Sequence, residues 1–165
     1  MDLGVELIRQ TRERLEDIRR RMVTTVERLS PEDLAWLPNA QSNSAANLVV
    51  HVCGNLRQRF HAGFGGAVDD RQRDAEFAAP PARDATAAAL VARIEAAFAE
   101  VDAFLAGLDT VRLQETRSVQ GRRPTLLAVL LRTVEHSGEH LGELIYIAKA
   151  RLGAGFETLS IPRAR

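Results

Sequence analysis

The sequence has only one cysteine, Cys53, and this scarcity limits the chemistry open to the chain. A single thiol cannot form an internal disulfide, and it cannot assemble a zinc site built from several cysteines. Any metal ion must therefore be held by histidine and carboxylate side chains. Cys53 lies in an apolar segment, and we expect a small core residue there; a role as nucleophile is the less favoured alternative.

The sequence also lacks an excess of either charge and any long apolar run. Lysine plus arginine and aspartate plus glutamate each number 22, so the formal net charge is zero. No block of like charge is present that could follow a nucleic-acid backbone. No apolar run reaches the ~18 residues of a membrane-spanning helix, and the charged N-terminal segment does not resemble a signal peptide. We expect a cytoplasmic protein with neither nucleic acid nor membrane as a partner.

Helical periodicity is what the sequence does contain. Apolar residues recur at steps of three, four and seven, and cap residues and glycines mark the ends of the periodic segments. The predicted long helices are residues 3–29, 45–64, about 84–107 with Asp84 as cap, and Pro124-Thr125 to about Leu152. Without β-alternation or repeats, residues 1–165 predict one domain, an all-α four-helix bundle. Residues 65–81 lack a regular period and predict a long ordered loop between the second and third helices.

Three histidines lie within apolar stretches of two predicted helices. His136 and His140 are four residues apart, which places their β-carbons ~6 Å apart on one helix face, within reach of a common metal ion. His51 lies in the middle of "NLVVHVCGN". Buried imidazoles are costly unless they are paired or bound. We therefore predict a three-histidine site with vacant coordination positions, as in catalytic metal sites; three purely structural histidines are the alternative.

Several polar residues surround the predicted site. Asn47, Asn55 and Glu143 each lie one turn from a histidine and are candidates to orient an imidazole or a bound water. His61 is expected to be an exposed residue at a helix end. In the loop, Arg71 or Arg73 could bind a substrate carboxylate through two parallel hydrogen bonds. The favoured alternative is a structural ion pair with one of the loop carboxylates, namely Asp69, Asp70, Asp74 or Glu76.

The segment "HSGEH" also fits the H-x-x-E-H pattern of one class of zinc peptidases. In that class a distant downstream carboxylate completes the ligand set. Here only Glu143 and Glu157 follow His140, and the chain ends soon after them. Glu139 lies about 100° around the helix from His140, which predicts a surface residue. The peptidase interpretation is therefore disfavoured.

Four blocks of the sequence resemble the DinB/YfiT-like family of metal-dependent four-helix proteins. They are "SNSAANLVVHVCGNLRQRF" (42–60), "GGAVDDRQRDAEFA" (65–78), "HSGEHLGELIYIAK" (136–149) and "LSIPR" (159–163). The family motif has one histidine on the second helix and an H-x-x-x-H pair on the fourth. These positions fall on His51, His136 and His140, and Glu143 stands where the family often has glutamine.

The resemblance implies a homodimeric bundle that binds a divalent ion, with Zn²⁺ or Ni²⁺ expected. Some members of that family are thiol S-transferases that use a low-molecular-weight thiol, bacillithiol or mycothiol, or are related isomerases. We therefore expect a metal-dependent enzyme, a thiol S-transferase or hydrolase, in which the ion lowers the pKa of a thiol or water. The alternative is a dimeric, stress-related protein that binds metal or a small ligand without turnover.

Overall fold

The computed structural model describes residues 2–77 and 86–156, and these form an all-helical structure, as predicted. The α-helices are α1 (Leu3–Val26), α2 (Pro31–Ala35), α3 (Ala45–Arg57), α4 (Ala87–Ala106) and α5 (Leu126–Leu152). A π-helical segment, Gln58–Phe64, continues α3, and short 3₁₀ turns lie at Asp74–Glu76, Thr110–Gln114 and Gly153–Gly155. Within the two described ranges there is no β-strand, only two isolated bridges that join Thr116 to Thr125 and Val119 to Arg122.

The four long helices share one hydrophobic core. Both α1 and α3 pack against α4 and α5. The apolar residues at helical spacing in the first predicted helix are buried from Ile8 to Leu29, and so are most of those in α4 between Leu90 and Leu105. Each fully buried large aliphatic side chain, such as Ile94 or Leu130, stabilises the fold by about 1.5–3 kcal/mol. No helix in the described part of the chain is long and apolar enough to cross a membrane.

Side-chain caps determine where the two histidine-bearing helices begin. Ser44 Oγ accepts a hydrogen bond from the Asn47 backbone N–H at 3.1 Å, and Asn47 Oδ1 accepts one from the Ser44 N–H, so the pair forms a capping box for α3. Thr125 caps α5 through a single bond, because its Oγ1 accepts a hydrogen bond from the Ala128 N–H. Gly153 ends α5 with a positive φ of 54°, a conformation that costs glycine little.

The helix that follows the loop begins at a cap that the sequence did not single out. Thr86 Oγ1 accepts a hydrogen bond from the Ala89 N–H and caps α4. The predicted cap, Asp84, lies outside the described residues, as do the end of the predicted loop and the block 159–163.

The described part of the loop, residues 65–77, returns along α3. Its 3₁₀ turn Asp74–Glu76 places the Glu76 side chain directly against the α3 backbone at Gly54. A Cβ atom at position 54 would collide with Glu76 Oε1. The missing side chain of Gly54 is therefore what lets the loop approach the helix so closely.

Candidate metal centre

Helices α3 and α5 bring the three predicted histidines together. The ring centroid of His51 lies 5.1 Å from that of His136 and 5.0 Å from that of His140, and the latter two are 4.4 Å apart. Each residue offers one ring nitrogen, and the three nitrogens lie within 4.8 Å of one another. Among the described residues this is the only such cluster of potential metal ligands. The arrangement follows from two helical faces that meet in the core.

The Nε2 atom of His136 is buried and has no hydrogen-bond partner within the described ranges. The other ring nitrogen, Nδ1, lies 3.8 Å from Glu139 Oε2, too far for a hydrogen bond. A buried polar atom without a partner costs about 1–3 kcal/mol. Burial, reinforced by electrostatic interactions with His140 and Arg59, lowers the pKa of His136 to about 3. The ring is therefore neutral near pH 7, which is the form that binds a metal ion.

His51 is oriented by a carboxylate from the loop. Its Nδ1 lies 2.9 Å from Glu76 Oε2, and because a carboxylate only accepts, Nδ1 carries the hydrogen and donates it. Arg71 Nη2 is 3.2 Å from the same ring nitrogen, but it donates to Glu76 Oε2 at 2.7 Å. Burial lowers the pKa of His51 and outweighs the opposing effect of Glu76. The Nε2 lone pair of His51 is left available as a ligand.

His140 has the same kind of partner. Its Nδ1 lies 2.7 Å from Glu143 Oε2, which is the contact expected of a residue predicted to orient an imidazole. Metal-binding histidines commonly donate their second ring N–H to a carboxylate, which fixes the tautomer. Two of the three imidazoles therefore have Nδ1 engaged by a carboxylate, and the third has an unpartnered Nε2. This donor set fits a divalent ion such as Zn²⁺.

The other residues singled out from the sequence differ in their burial and in their contacts with the histidine cluster. Asn47 donates from Nδ2 to the Glu76 carbonyl at 2.8 Å, so it holds the loop that carries the partner of His51. Asn55 is buried, and its Oδ1 has no hydrogen-bond partner in the described part of the chain. His61 is exposed on the π-helical segment, as predicted. Cys53 is a buried core residue, and burial raises the pKa of its thiol to about 12.

Three residues near the site were not assigned to it from the sequence. Glu76 was considered only as an ion-pair partner, and it does pair with Arg71, as the favoured alternative predicted. The Phe77 ring lies 4.8 Å from the His51 ring. Arg59 is buried and donates to Thr133 Oγ1 at 3.0 Å. The polar positions of α3 recur every four residues, and extending that series by one step from Asn55 leads to Arg59.

An open cavity of about 680 Å³ adjoins the histidines. His51, His136 and Asn55 are among the residues that line it. Five arginines also line it: Arg59, Arg71, Arg73, Arg122 and Arg132. Cavities that hold small-molecule ligands are commonly about 300–1,000 Å³. In the described part of the chain, His51 and His136 are therefore accessible from a cavity large enough for a small molecule.

Comparison with known proteins identifies one family. The model of the family described as "Protein of unknown function (DUF1572)" matches residues 2–165. No curated protein and no solved structure matches the chain. The resemblance to DinB/YfiT-like proteins therefore stays a prediction.

Proposed function

The chain belongs to the DUF1572 family of proteins of unknown function, and we propose that it is a metal-dependent enzyme of the DinB type. In this proposal α1, α3, α4 and α5 form the four-helix bundle, and His51, His136 and His140 hold one divalent ion. The observation that carries the proposal is the buried His136 Nε2, which lacks a partner among the described residues and lies beside two imidazoles oriented by carboxylates. Zn²⁺ and Ni²⁺ are the expected ions because imidazole suits both.

An enzyme is favoured over a structural metal site by the number of ligands and by access. Structural zinc sites are closed by four protein ligands, whereas catalytic sites use three and leave a position open. Here the cluster offers three histidines, and the cavity reaches His51 and His136. When bound, the ion supplies Lewis-acid chemistry that lowers the pKa of a thiol or water.

The protein's own side chains have two tasks in this proposal. Glu76 and Glu143 hold the rings of His51 and His140 so that Nε2 is free in each. Phe77 packs against the His51 ring, and the cavity that His51 and His136 line admits the substrate. Together these contacts orient the donor set before any ligand arrives, which strengthens binding by reducing the reorganisation that binding requires.

The reaction class proposed is thiol S-transfer or hydrolysis, with a low-molecular-weight thiol as the possible second substrate. We place the protein in the cytoplasm as a homodimer. The exposed surface of α5 offers apolar side chains for such a contact, because Leu131 and Tyr146 both face solvent in the single chain. A dimeric protein that binds metal without turnover is the alternative that experiment must separate.

Elemental analysis of protein purified without an affinity tag tests the metal site. We expect about one divalent ion per chain in the wild type, and its loss in His51→Ala and His136→Ala. His61→Ala is the matched control, because His61 is exposed and outside the cluster, and it should keep the ion. A wild type that neither contains metal nor takes up added Zn²⁺ or Ni²⁺ contradicts the proposal. If metal is bound, an activity screen separates the two alternatives. The screen tests thiols with electrophiles, and also hydrolysable esters and amides. Turnover of any of them supports the enzyme, and absence of turnover supports a protein that only binds metal.

A further inference from the structure

Arg59 is a buried cation without a carboxylate partner in the described ranges. Its relative exposure is 6%, and its hydrogen bond there is the one to Thr133 Oγ1. Burial, together with the charges of Arg132 and Arg71, lowers the pKa of Arg59 to about 10, so the guanidinium is still charged at pH 7. Buried charges are costly unless they are paired. Within the described residues, no anionic group therefore compensates the charge of Arg59.

The cavity around Arg59 concentrates positive charge in a chain whose net charge is zero. No aspartate or glutamate of the described residues lines this cavity. Arg71 and Arg132 are neutralised by ion pairs with Glu76 and Glu135. Three guanidinium groups remain without a carboxylate partner in the residues that the structure describes, those of Arg59, Arg73 and Arg122. A cavity lined by one sign of charge raises the local concentration of oppositely charged ligands.

A second buried polar side chain that lacks a hydrogen-bond partner among the described residues lines the same cavity. The Oδ1 atom of Asn55 is buried without a hydrogen-bond partner in the described part of the chain, and Asn55 lies one helical turn before Arg59. His51 precedes Asn55 by one further turn along α3, and Arg59 follows on its π-helical continuation. Asn55 Oδ1 accepts a hydrogen bond and therefore fits a hydroxyl group of a ligand, whereas the Arg59 guanidinium fits its anionic group. A guanidinium matches the paired oxygens of a carboxylate or a phosphate.

We propose that this cavity binds the carboxylate or phosphate group of a small organic anion, with Arg59 at its buried end and Arg73 and Arg122 at the surface. The anion lies beside His51 and His136, so the cavity selects acidic substrates for the histidine site. The selection of substrate rests on the proposed metal enzyme, whereas the binding of an anion does not.

Calorimetric titration of metal-free protein tests anion binding on its own. The probes are inorganic phosphate and succinate at constant ionic strength, and the protein is treated with a chelator so that no metal ion can bind them. We expect saturable binding to the wild type, with the tighter probe identifying the preferred oxyanion. Arg59→Gln should weaken binding by about tenfold or more, since it removes a charged hydrogen bond. Arg122→Gln should weaken it severalfold.

The matched control is Arg57→Gln. Arg57 ends α3 two residues before Arg59, but it is exposed and pairs with Glu100. Its replacement should leave the affinity for both probes unchanged. Absence of saturable binding to the wild type overturns the proposal, and so does equal affinity of the wild type and Arg59→Gln. If Arg59→Gln does not fold, Arg122→Gln decides by the same criterion, because its side chain is exposed and its replacement leaves the core intact.

Thermal unfolding separates a ligand-binding arginine from a structural one. Without either probe, Arg59→Gln should melt at the wild-type temperature or higher, because an unpaired buried charge has been removed. At the same concentration of phosphate or succinate, the wild type should gain more stability than Arg59→Gln, because it binds the probe more tightly. A lower melting temperature for Arg59→Gln in the absence of probes, combined with unchanged anion affinity, assigns Arg59 to the fold and contradicts the proposal. His140→Ala in the same titration should still bind the anion, because His140 belongs to the histidine cluster but does not line the cavity. Loss of the metal site and loss of the anion site therefore give different results.

Discussion

Glu76 Oε2 lies 2.9 Å from His51 Nδ1, so a carboxylate in the loop fixes the tautomer of a histidine 25 residues earlier in the chain. Arg71 holds that carboxylate through both of its oxygens, each at 2.7 Å. Arg71 also donates to Gln58 Oε1 at 2.7 Å, which ties the loop to the π-helical segment. The orientation of His51 therefore depends on how the loop packs against α3.

Glu76→Gln should weaken Zn²⁺ binding by about 10- to 100-fold, the usual effect of removing a carboxylate that orients a metal-binding histidine. The amide keeps the shape of the side chain but loses the charge that favours the Nδ1–H tautomer of His51. Competition with a chelator of known affinity measures the change. Glu139→Gln is the control, because Glu139 is exposed and beyond hydrogen-bond distance of His136. Equal Zn²⁺ affinities for the two variants would contradict the role of Glu76.

Gly54→Ala should destabilise the protein and weaken metal binding together. The added methyl group collides with Glu76 Oε1 and approaches Arg71 Nε, so the Glu76 carboxylate must shift from the position in which it contacts His51. Crowding of this kind costs about 1–3 kcal/mol. Urea unfolding measures the stability, and chelator competition measures the Zn²⁺ affinity.

The matched control for this variant is Gly138→Ala on α5. No atom lies within 4 Å of a Cβ built at position 138, and alanine is the better helix former by about 0.8–1 kcal/mol. Gly138→Ala should therefore stabilise the protein. A Gly54→Ala variant that gains stability in the same way would contradict the prediction. It would show that the contact between Glu76 and α3 does not depend on the missing side chain of Gly54.

The sequence predicts most of the fold because its signals are local. Buried positions repeat with the helical period, and the capping residues Ser44 and Thr125 stand beside the first turns that they stabilise. The histidine cluster is predictable for the same reason. His51 and the pair on α5 each interrupt an apolar stripe, so both helices present imidazoles to the core.

Contacts between the loop and α3 could not be predicted from periodicity. The Glu76 carboxylate reaches His51 through an irregular segment, and four loop carboxylates were equally plausible partners for Arg71. The π-helical segment Gln58–Phe64 was predicted as ordinary helix, because its sequence continues the apolar pattern of α3. Arg59 lies in that segment, so its burial was not expected of an arginine near a helix end.

Cys53 should be unreactive toward a thiol-specific reagent in the folded protein at pH 8. Only the thiolate reacts, and burial both raises the thiol pKa to about 12 and excludes the reagent. The same reagent should label one thiol per chain in denaturant, which serves as the control because the chain has one cysteine. Cys53→Ala should keep its metal content. Rapid labelling of the folded protein would instead revive the role of Cys53 as a nucleophile.

The metal-free protein should become less stable as the pH is lowered, because of His136. Its pKa is about 3 in the folded protein against 6.5 for an ordinary histidine, so between these values the unfolded chain binds a proton that the folded protein does not. The contribution is complete above pH 6.5 and is lost as the pH falls toward 3. From pH 7.5 to pH 5 the loss amounts to about 2 kcal/mol. Urea unfolding of His136→Gln should show a loss smaller by that amount, whereas His61→Gln, at an exposed position, should lose as much as the wild type. Equal losses in all three proteins would mean that His136 is protonated equally in the folded and unfolded states, which is incompatible with a buried, neutral metal ligand.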